Sequence, residues 1–472
     1  MKKLFFFLLV FGNITLPRQA FAQGDSTFVV FEFESFMEQV KQHHPLAKQA
    51  ENQVLIGEAY LQKAKGSFDP KLEGSADQKY YDEKQYYSIL NAGLKIPTWY
   101  GVSFQGGYDL NNGDFLNPEQ NVPNDGLWYA GVNVALGRGL IIDQRRAEFM
   151  KAQIYRNSSI QNRIIMLNGL YFDAASAYWE WFKAYSKMQV YEDAIINAQE
   201  RYNNVVQNVL LGSDPGIDSV EANTQLQTRF YSYLEARLDY LNSTSLLEIY
   251  LWNDGFIPLE LDSTKVPPVL NNIPNSRIDP ALLMKIDSLK MMHPQLLKTQ
   301  YEVEQQAVDL KLSRENIKPV INLKYNALTE ADGPEGAFYY SMNNYKWGAD
   351  VQIPIFLRKE RGQLKLDRLE LENLQSGLAF KQEQIEFKIE SAYNEWTITN
   401  QQLGIWRQAT QDYLTLLESE QTMYTIGESS LFMVNSREKA YIDAQLKLVE
   451  TILKNQKAAV KTKYAMGVLI NE

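Results

Sequence analysis

Cysteine is absent from all 472 residues. That excludes disulfides, thiolate metal sites and thiol nucleophiles, and it leaves no cysteine for bacterial lipidation at a signal cleavage point. Histidine is nearly absent: His43, His44 and His293 are the whole set, and no His-Glu-x-x-His or comparable metal spacing exists. No run of 18 apolar residues occurs, so nothing reads as a transmembrane helix and any span would have to be β. Phosphate-cradling glycine loops and a Gly-x-Ser-x-Gly nucleophile elbow are missing too, since the glycines from Gly101 to Gly107 fall in a strand-like run. Carboxylates are plentiful, Glu370, Glu372, Glu383, Glu386 and Glu390 among them. Spread along helical patterns, they read as solvated faces, not as a catalytic pair. These absences argue for a protein that is not an enzyme and needs no cofactor or metal.

What is present starts with a compartment signal. Lys2 and Lys3 precede the apolar run Leu4 to Phe11, and Ala20-Phe21-Ala22 supplies a cleavage site, so residues 1–22 read as a secretory signal peptide. Three basic residues leave with it, which takes the net charge from −10 to −13. Nucleic acid is excluded as a partner on that balance. An acidic lumen and a solvated acidic surface both fit it.

The remaining length is a duplication. His44-Pro45 opens a helical stretch, then Asp69-Pro70 leads into an alternating run; His293-Pro294 does the same 249 residues later, with Lys318-Pro319 in the equivalent place. Farther on, Ala130, Val132, Val134 and Leu136 share their parity with Trp347, Ala349, Val351 and Ile353, now 217 residues apart. The first half therefore carries 32 extra residues. In that insertion Tyr86, Leu90, Ala92, Leu94 and Ile96 fall on one parity, which resumes after Pro97-Thr98 in Tyr100, Val102, Phe104, Tyr108 and Leu110. Each segment is long enough to cross a bilayer, which takes roughly 9 to 11 tilted residues. Tyr80, Tyr81, Tyr86, Tyr87, Trp99, Tyr100, Trp128 and Tyr129 cluster near the strand ends, as an interfacial aromatic girdle requires.

After the strands each half continues as a very long helical pattern, Ile141 to Leu211 and Arg358 to Ile426. About 70 residues extend roughly 100 Å and must pack on neighbouring helices. Ile160, Ile164, Leu167, Tyr171, Ala174, Tyr178 and Trp181 form the seam of the first; Leu364, Leu371, Leu374, Leu378, Ile385 and Ile389 form that of the second. A glycine turn closes each, at Gly212 and at Gly427, and return helices follow from Asp218 to Leu251 and from Ser430 to Ala465. The domain organisation read from this is a signal peptide at 1–22, a first repeat at 23–257, a proline-rich connector at 258–280 and a second repeat at 281–472.

Helix, strands, long helix, glycine turn and return helix, used twice after a signal peptide, resemble the TolC outer-membrane efflux family over essentially the whole mature chain. Tyr424-Thr425-Ile426-Gly427 resembles that family's Tyr-x-Val-Gly tip, and Asp218, six residues after Gly212, falls where the family often places a tip aspartate. The resemblance implies an α+β membrane protein, a homotrimer whose long α-helical periplasmic barrel is continuous with a transmembrane β-barrel in the lipid of a Gram-negative outer membrane. It implies passive export, docking to a periplasmic adaptor (membrane fusion) protein, and an inner-membrane RND, ABC or MFS transporter as the energised partner. Leu210, Leu211, Gly212, Gly427, Leu431 and Phe432 are the expected docking tips, because these residues lie where intramolecular packing runs out. The aperture gate is expected at Asp218, Tyr424, Ser429 and Met433. Ser429 and Met433 stand where the family can place an arginine and an acidic residue, so fewer charged links are expected, with a Tyr424 to Asp218 bond among them.

Three matters stay open at this stage. Asp218-Ser219-Val220-Glu221 also reads as a capping box that starts the return helix. The family has four strands per subunit and this chain reads as six, so the barrel has either 12 or 18 strands. A periplasmic helical adaptor or scaffold would share the long rods, and a secreted polysaccharide-active enzyme the signal peptide and aromatics.

Overall fold

A computed structural model of the chain describes residues 28–213, 215–284, 286–330 and 341–471; the signal peptide lies outside the described residues. The described chain opens with β1 (Val29–Val30) and α1 (Phe33–His43), then α2 (Pro45–Lys65). Four strands follow, β2 (Lys71–Tyr81), β3 (Lys84–Pro97), β4 (Val102–Asn112) and β5 (Leu127–Ala135). The first rod α3 (Gln144–Leu211) and its return helix α4 (Gly216–Glu248) come next. A connector holds β6 (Trp252–Asn253), β7 (Ile257–Pro258), β8 (Lys265–Val266), α5 (Pro280–Met284) and α6 (Ile286–Met291). The order of the first half then recurs with two strands in place of four: α7 (Pro294–Asn316), β9 (Val320–Thr329), β10 (Tyr345–Gln352), the second rod α8 (Arg358–Thr425) and the return helix α9 (Leu431–Met466). Both rods have 68 residues, about 100 Å at 1.5 Å per residue.

The six long strands form one antiparallel sheet in the order β10-β9-β5-β4-β3-β2. Because side chains alternate along a strand, each row across the sheet has one character. Leu72, Leu94, Gly106, Ala130, Ala327 and Tyr345 make one row, and the adjacent row is Lys71, Lys95, Gln105, Gly131, Asn326 and Lys346. On the polar face Gln105 Nε2 donates to Asn326 Oδ1 at 2.8 Å, and Lys324 pairs with Asp350 at 3.0 Å. The apolar face is bare: Leu72 is 84% exposed, Trp347 64% and Val351 63%. Tyr129, expected in an aromatic girdle, belongs to the polar face instead. Its ring lies over Gly93 and Gly107, whose missing Cβ atoms make room for the hydroxyl. Aromatic contacts stand at both sheet ends, where Tyr86 stacks on Phe115 at 4.6 Å and Trp99 packs between Phe68 at 5.5 Å and Phe149 at 5.2 Å.

Where the sheet hands over to the first rod, the chain bends through carbonyls that no helix or strand satisfies. Arg146, buried at 5% exposure, collects them: its guanidinium donates to the Leu140 and Ile141 oxygens at 3.1 Å each and to that of Gly139. The Asp143 carboxylate caps the rod by accepting from the Arg146 N–H at 2.9 Å.

Below the sheet the helices lie side by side. Next to the sheet α2 packs on α3, α3 on α7 and α7 on α8; farther from it α8 packs on α9, α9 on α3 and α3 on α4. Between these levels α1, with the parallel β1–β8 pair, wraps the middle of the rods over the main core, in which Phe36, Val40, Tyr178, Trp181, Leu247 and Leu403 are buried. The seam residues Tyr171, Ala174, Tyr178 and Trp181 are buried as the sequence pattern requires. Neither α1 nor β1 was legible in the pattern, because two residues are too few for a strand signal and α1 is short.

Each layer is an open strip, and each strip ends on exposed apolar residues. On α4, Tyr231 and Leu238 are seven residues apart, as are Leu234 and Leu241; on α8 the same step separates Phe380 from Phe387 and Ile398 from Ile405. That spacing is a second helix-packing seam without a partner among the described residues.

The duplicated His-Pro doublets have a common structural task. The Nδ1 of His44 accepts from the Leu46 N–H at 3.1 Å and caps α2; the Nδ1 of His293 accepts from the Gln295 N–H at 3.2 Å and caps α7. Each ring also hydrogen-bonds the end of a return helix, at Ile249 and Ala465 respectively. Burial lowers the pKa of His293 to about 4, against a weaker opposing effect of the Ala465 bond. The unfolded chain takes up this proton near the ordinary histidine value of 6.5, so between those pH values it binds more protons than the folded chain. Stability from this site is intact above pH 6.5 and falls as the pH drops towards 4, by about 3 kcal/mol in total. Asparagine caps a helix without titrating. Denaturation midpoints for the parent should therefore fall more steeply from pH 7 to pH 4 than those of His293→Asn. Equal slopes would show that His293 is not the titrating group.

Candidate functional site

The rods end in two turns of the same construction. Gly212 adopts φ 77° and Gly427 φ 79°. Ser213 N–H returns to the Asn208 oxygen at 2.9 Å and Glu428 N–H to that of Met423 at 2.9 Å, so left-handed glycines close both helices with paired backbone bonds. Of the residues expected to dock a partner, Leu210 (76% exposed), Leu211 (79%) and Phe432 (67%) project into solvent, beside Ile217 and Ile426. Leu431 does not. It is buried with Val205 and Ala222, with Tyr202, Val209 and Tyr424 packed against them. The reason is local: Ser430 caps α9 through a bond from the Met433 N–H, and this turns the first helical residue inward against α3 and α4.

The residues expected to gate are distributed in the same way. Tyr424 packs against that small core, and Met433 is exposed. Asp218 is in the first turn of α4, where a negative charge complements the helix dipole. It is not the N-cap, because α4 begins at Gly216 with Pro215 in the capping position. The capping-box reading is therefore corrected. Ser429 donates its hydroxyl to Glu420, whose other oxygen accepts from Arg437 Nε at 3.3 Å. The Ser429 hydrogen bond, then Arg437, hold the Glu420 carboxyl below its usual range.

A polar cluster within about four helical turns of the tip was not legible in the sequence. Arg201 of α3 grips Glu438 of α9 with two parallel hydrogen bonds, 2.9 Å and 3.0 Å, and reaches Asn435 at 2.9 Å. Asn435 donates to Glu221 of α4 at 2.9 Å, and Arg229 of α4 approaches Glu438 at 3.8 Å. Glu438, Arg229 and Asn435 are all buried. The cluster ties both return helices to the first rod. The available signal was a set of charged residues at seam spacing on three helices, a pattern that becomes visible only once the helices are paired. Among the described residues, no group of three or more His, Asp or Glu side chains could hold a metal ion, and no helix is long and apolar enough to cross a membrane.

With this geometry in view, similarity to solved structures is decisive for the fold. An outer-membrane channel of Campylobacter jejuni, CmeC, superposes with a TM-score of 0.64 over 92% of this chain and 85% of that one, at 16% identity. The channel CusC superposes at 0.66 over 93% of both chains, at 14% identity. The chain has the fold of these channel proteins. The outer membrane protein VceC of Vibrio cholerae superposes at 0.64 over 92% of this chain and 95% of that one, with 14% identity. By sequence, the cation efflux system protein CusC of Escherichia coli K12 is 20% identical over 309 residues, 62% of this chain and 63% of that protein. The chain thus spans less than two thirds of the curated relatives it matches. No family model matches the sequence.

Proposed function

We propose that this TolC-like chain is the passive outer-membrane exit duct of a tripartite efflux or type I secretion system, with no catalysis of its own, in the outer membrane of a Gram-negative bacterium. The observation that carries the reading is the six-stranded sheet with one face apolar, bare and continuous with two 100 Å rods. A sheet that faced water would cover such a surface with a second layer; a barrel in lipid leaves it bare. The adaptor alternative has no use for that face.

The assembly in this reading is a homotrimer of two tandem units per chain, with boundaries at 23–257 and 281–472. Every open strip must close, and a copy rotated about an axis brings α4 of one chain against α8 of the next, seam to seam. The tips then form the periplasmic aperture. Leu210, Leu211 and Phe432 offer apolar surface to an adaptor, and Asp218, Tyr424, Ser429 and Met433 line the gate. An RND, ABC or MFS pump supplies the free energy. The duct supplies a water-filled path and a closed barrel with no unpaired strand edge in lipid.

Fractionation with lysine-reactive crosslinking tests this: the protein should appear in the outer membrane as a trimer. A soluble periplasmic monomer would end the reading. At the tip, Leu211→Asp should abolish export and leave the trimer intact, whereas Leu431→Asp, which buries a charge, should unfold the tip. Export at the parental rate in Leu211→Asp would remove the docking surface.

A further inference from the structure

Sheet and helical layers meet along one continuous chain, so their widths can be compared. The row that starts at Lys71, the first residue of β2, reaches β10 at Lys346, six residues before its last residue Gln352. Both of those strand ends abut the helices. Six residues climb about 20 Å while five interstrand steps advance about 24 Å. The strands are therefore tilted by roughly 40°, within the range of transmembrane barrels. At that tilt six strands occupy about 38 Å of circumference and four only about 25 Å. Four helices side by side span about 32–40 Å. The six-stranded wall matches the helical wall for any number of copies.

We propose that the added hairpin β3–β4 is an integral part of the membrane wall, and that three copies close an 18-stranded barrel as wide as the tunnel beneath it. This rests on the trimeric duct reading. The free edge of β2 pairs antiparallel with β10 of a second copy, the even strand number making the directions agree. The hairpin joins β2 in register from Lys71 to Lys79, and the one shift, between Lys79 and Tyr80, falls at the end of β2 far from the helices. All ten pairs of β3 with β4 are regular, and their turn is pinned to the first rod by Trp99 on Phe149. The resulting barrel is about 36 Å across between backbones. Its polar face interleaves Lys95, Lys324 and Lys346 with Asp77, Asp109 and Asp350, so the bore passes any hydrophilic cargo that fits the tunnel, of either charge sign.

The native chain has no cysteine, so single cysteines report without background. A fluorophore at Leu94→Cys, Phe104→Cys or Leu110→Cys should be quenched by brominated lipid at least about twofold more than one at Asn91→Cys or Gln105→Cys. Ala349→Cys combined with Gly74→Cys or Ala76→Cys should form disulfide-linked trimers. Trimers whose β3 and β4 positions show no alternating lipid contact would mean a 12-stranded wall with the hairpin outside it, and would overturn the inference while sparing the duct. Loss of the trimer by lysine crosslinking in the parent would overturn the duct reading itself.

Discussion

Glu438→Ala should destabilise the periplasmic end of the helical bundle by about 3–5 kcal/mol, because it leaves the guanidiniums of Arg201 and Arg229 buried against no counter-charge. The two side chains of the main pair are 13% and 5% exposed, so water screens little of the loss. The effect should be local: amide exchange should accelerate in the last turns of α3 and the first turns of α4 and α9, and stay unchanged around the Tyr178 and Trp181 core. Arg229 has a long contact to Glu438 and a buried Nε with no partner. Arg229→Met should therefore cost much less than Arg201→Met. Replacing all three by methionine should restore most of the stability, since a buried ion pair gains little over apolar side chains of like volume. If the triple variant is as unstable as Glu438→Ala, the cluster contributes net stability beyond charge balance.

The second large effect belongs to the sheet. Val132 lies on its apolar face between Phe104 of β4 and Tyr325 of β9, and the next residue, Asn133, points to the polar face between Ser103 and Lys324. Val132→Arg should cost roughly 2–4 kcal/mol in the membrane and Asn133→Arg almost nothing, because an arginine in the lipid midplane is desolvated and one in a water-filled bore is not. Folding into lipid vesicles, followed by heat-modifiable migration, measures both. In a soluble sheet with the faces reversed the order of the two variants would invert, so equal behaviour or inversion would refute the assignment of faces.

These two sites mark the limits of what the sequence discloses. Val132 was legible because a period of two is imposed by the strand itself: its neighbours Ala130 and Val134 announce the face without any knowledge of the partner strands. Glu438 was not, because carboxylates spaced along a helix look alike whether a neighbouring helix covers them or water does. Leu431 failed for a related reason. It adjoins Gly427 in sequence, yet the cap at Ser430 turns it inward while Phe432 turns out. The His-Pro doublets were readable as helix starts, but the bonds from their rings to Ile249 and Ala465 join residues more than 170 positions apart.

By itself the sequence determined the alternating strands, the two rods, the glycine turns between rods and return helices, and the twofold use of one order of elements. All of these rest on periodicity and backbone preference, which act over a few residues. The tertiary structure decided which strands are neighbours, that the extra hairpin lies in the sheet, which tip leucine is core and which is surface, and which charges are buried. Those outcomes depend on what covers each side chain, and the covering groups come from helices and strands far away in the chain.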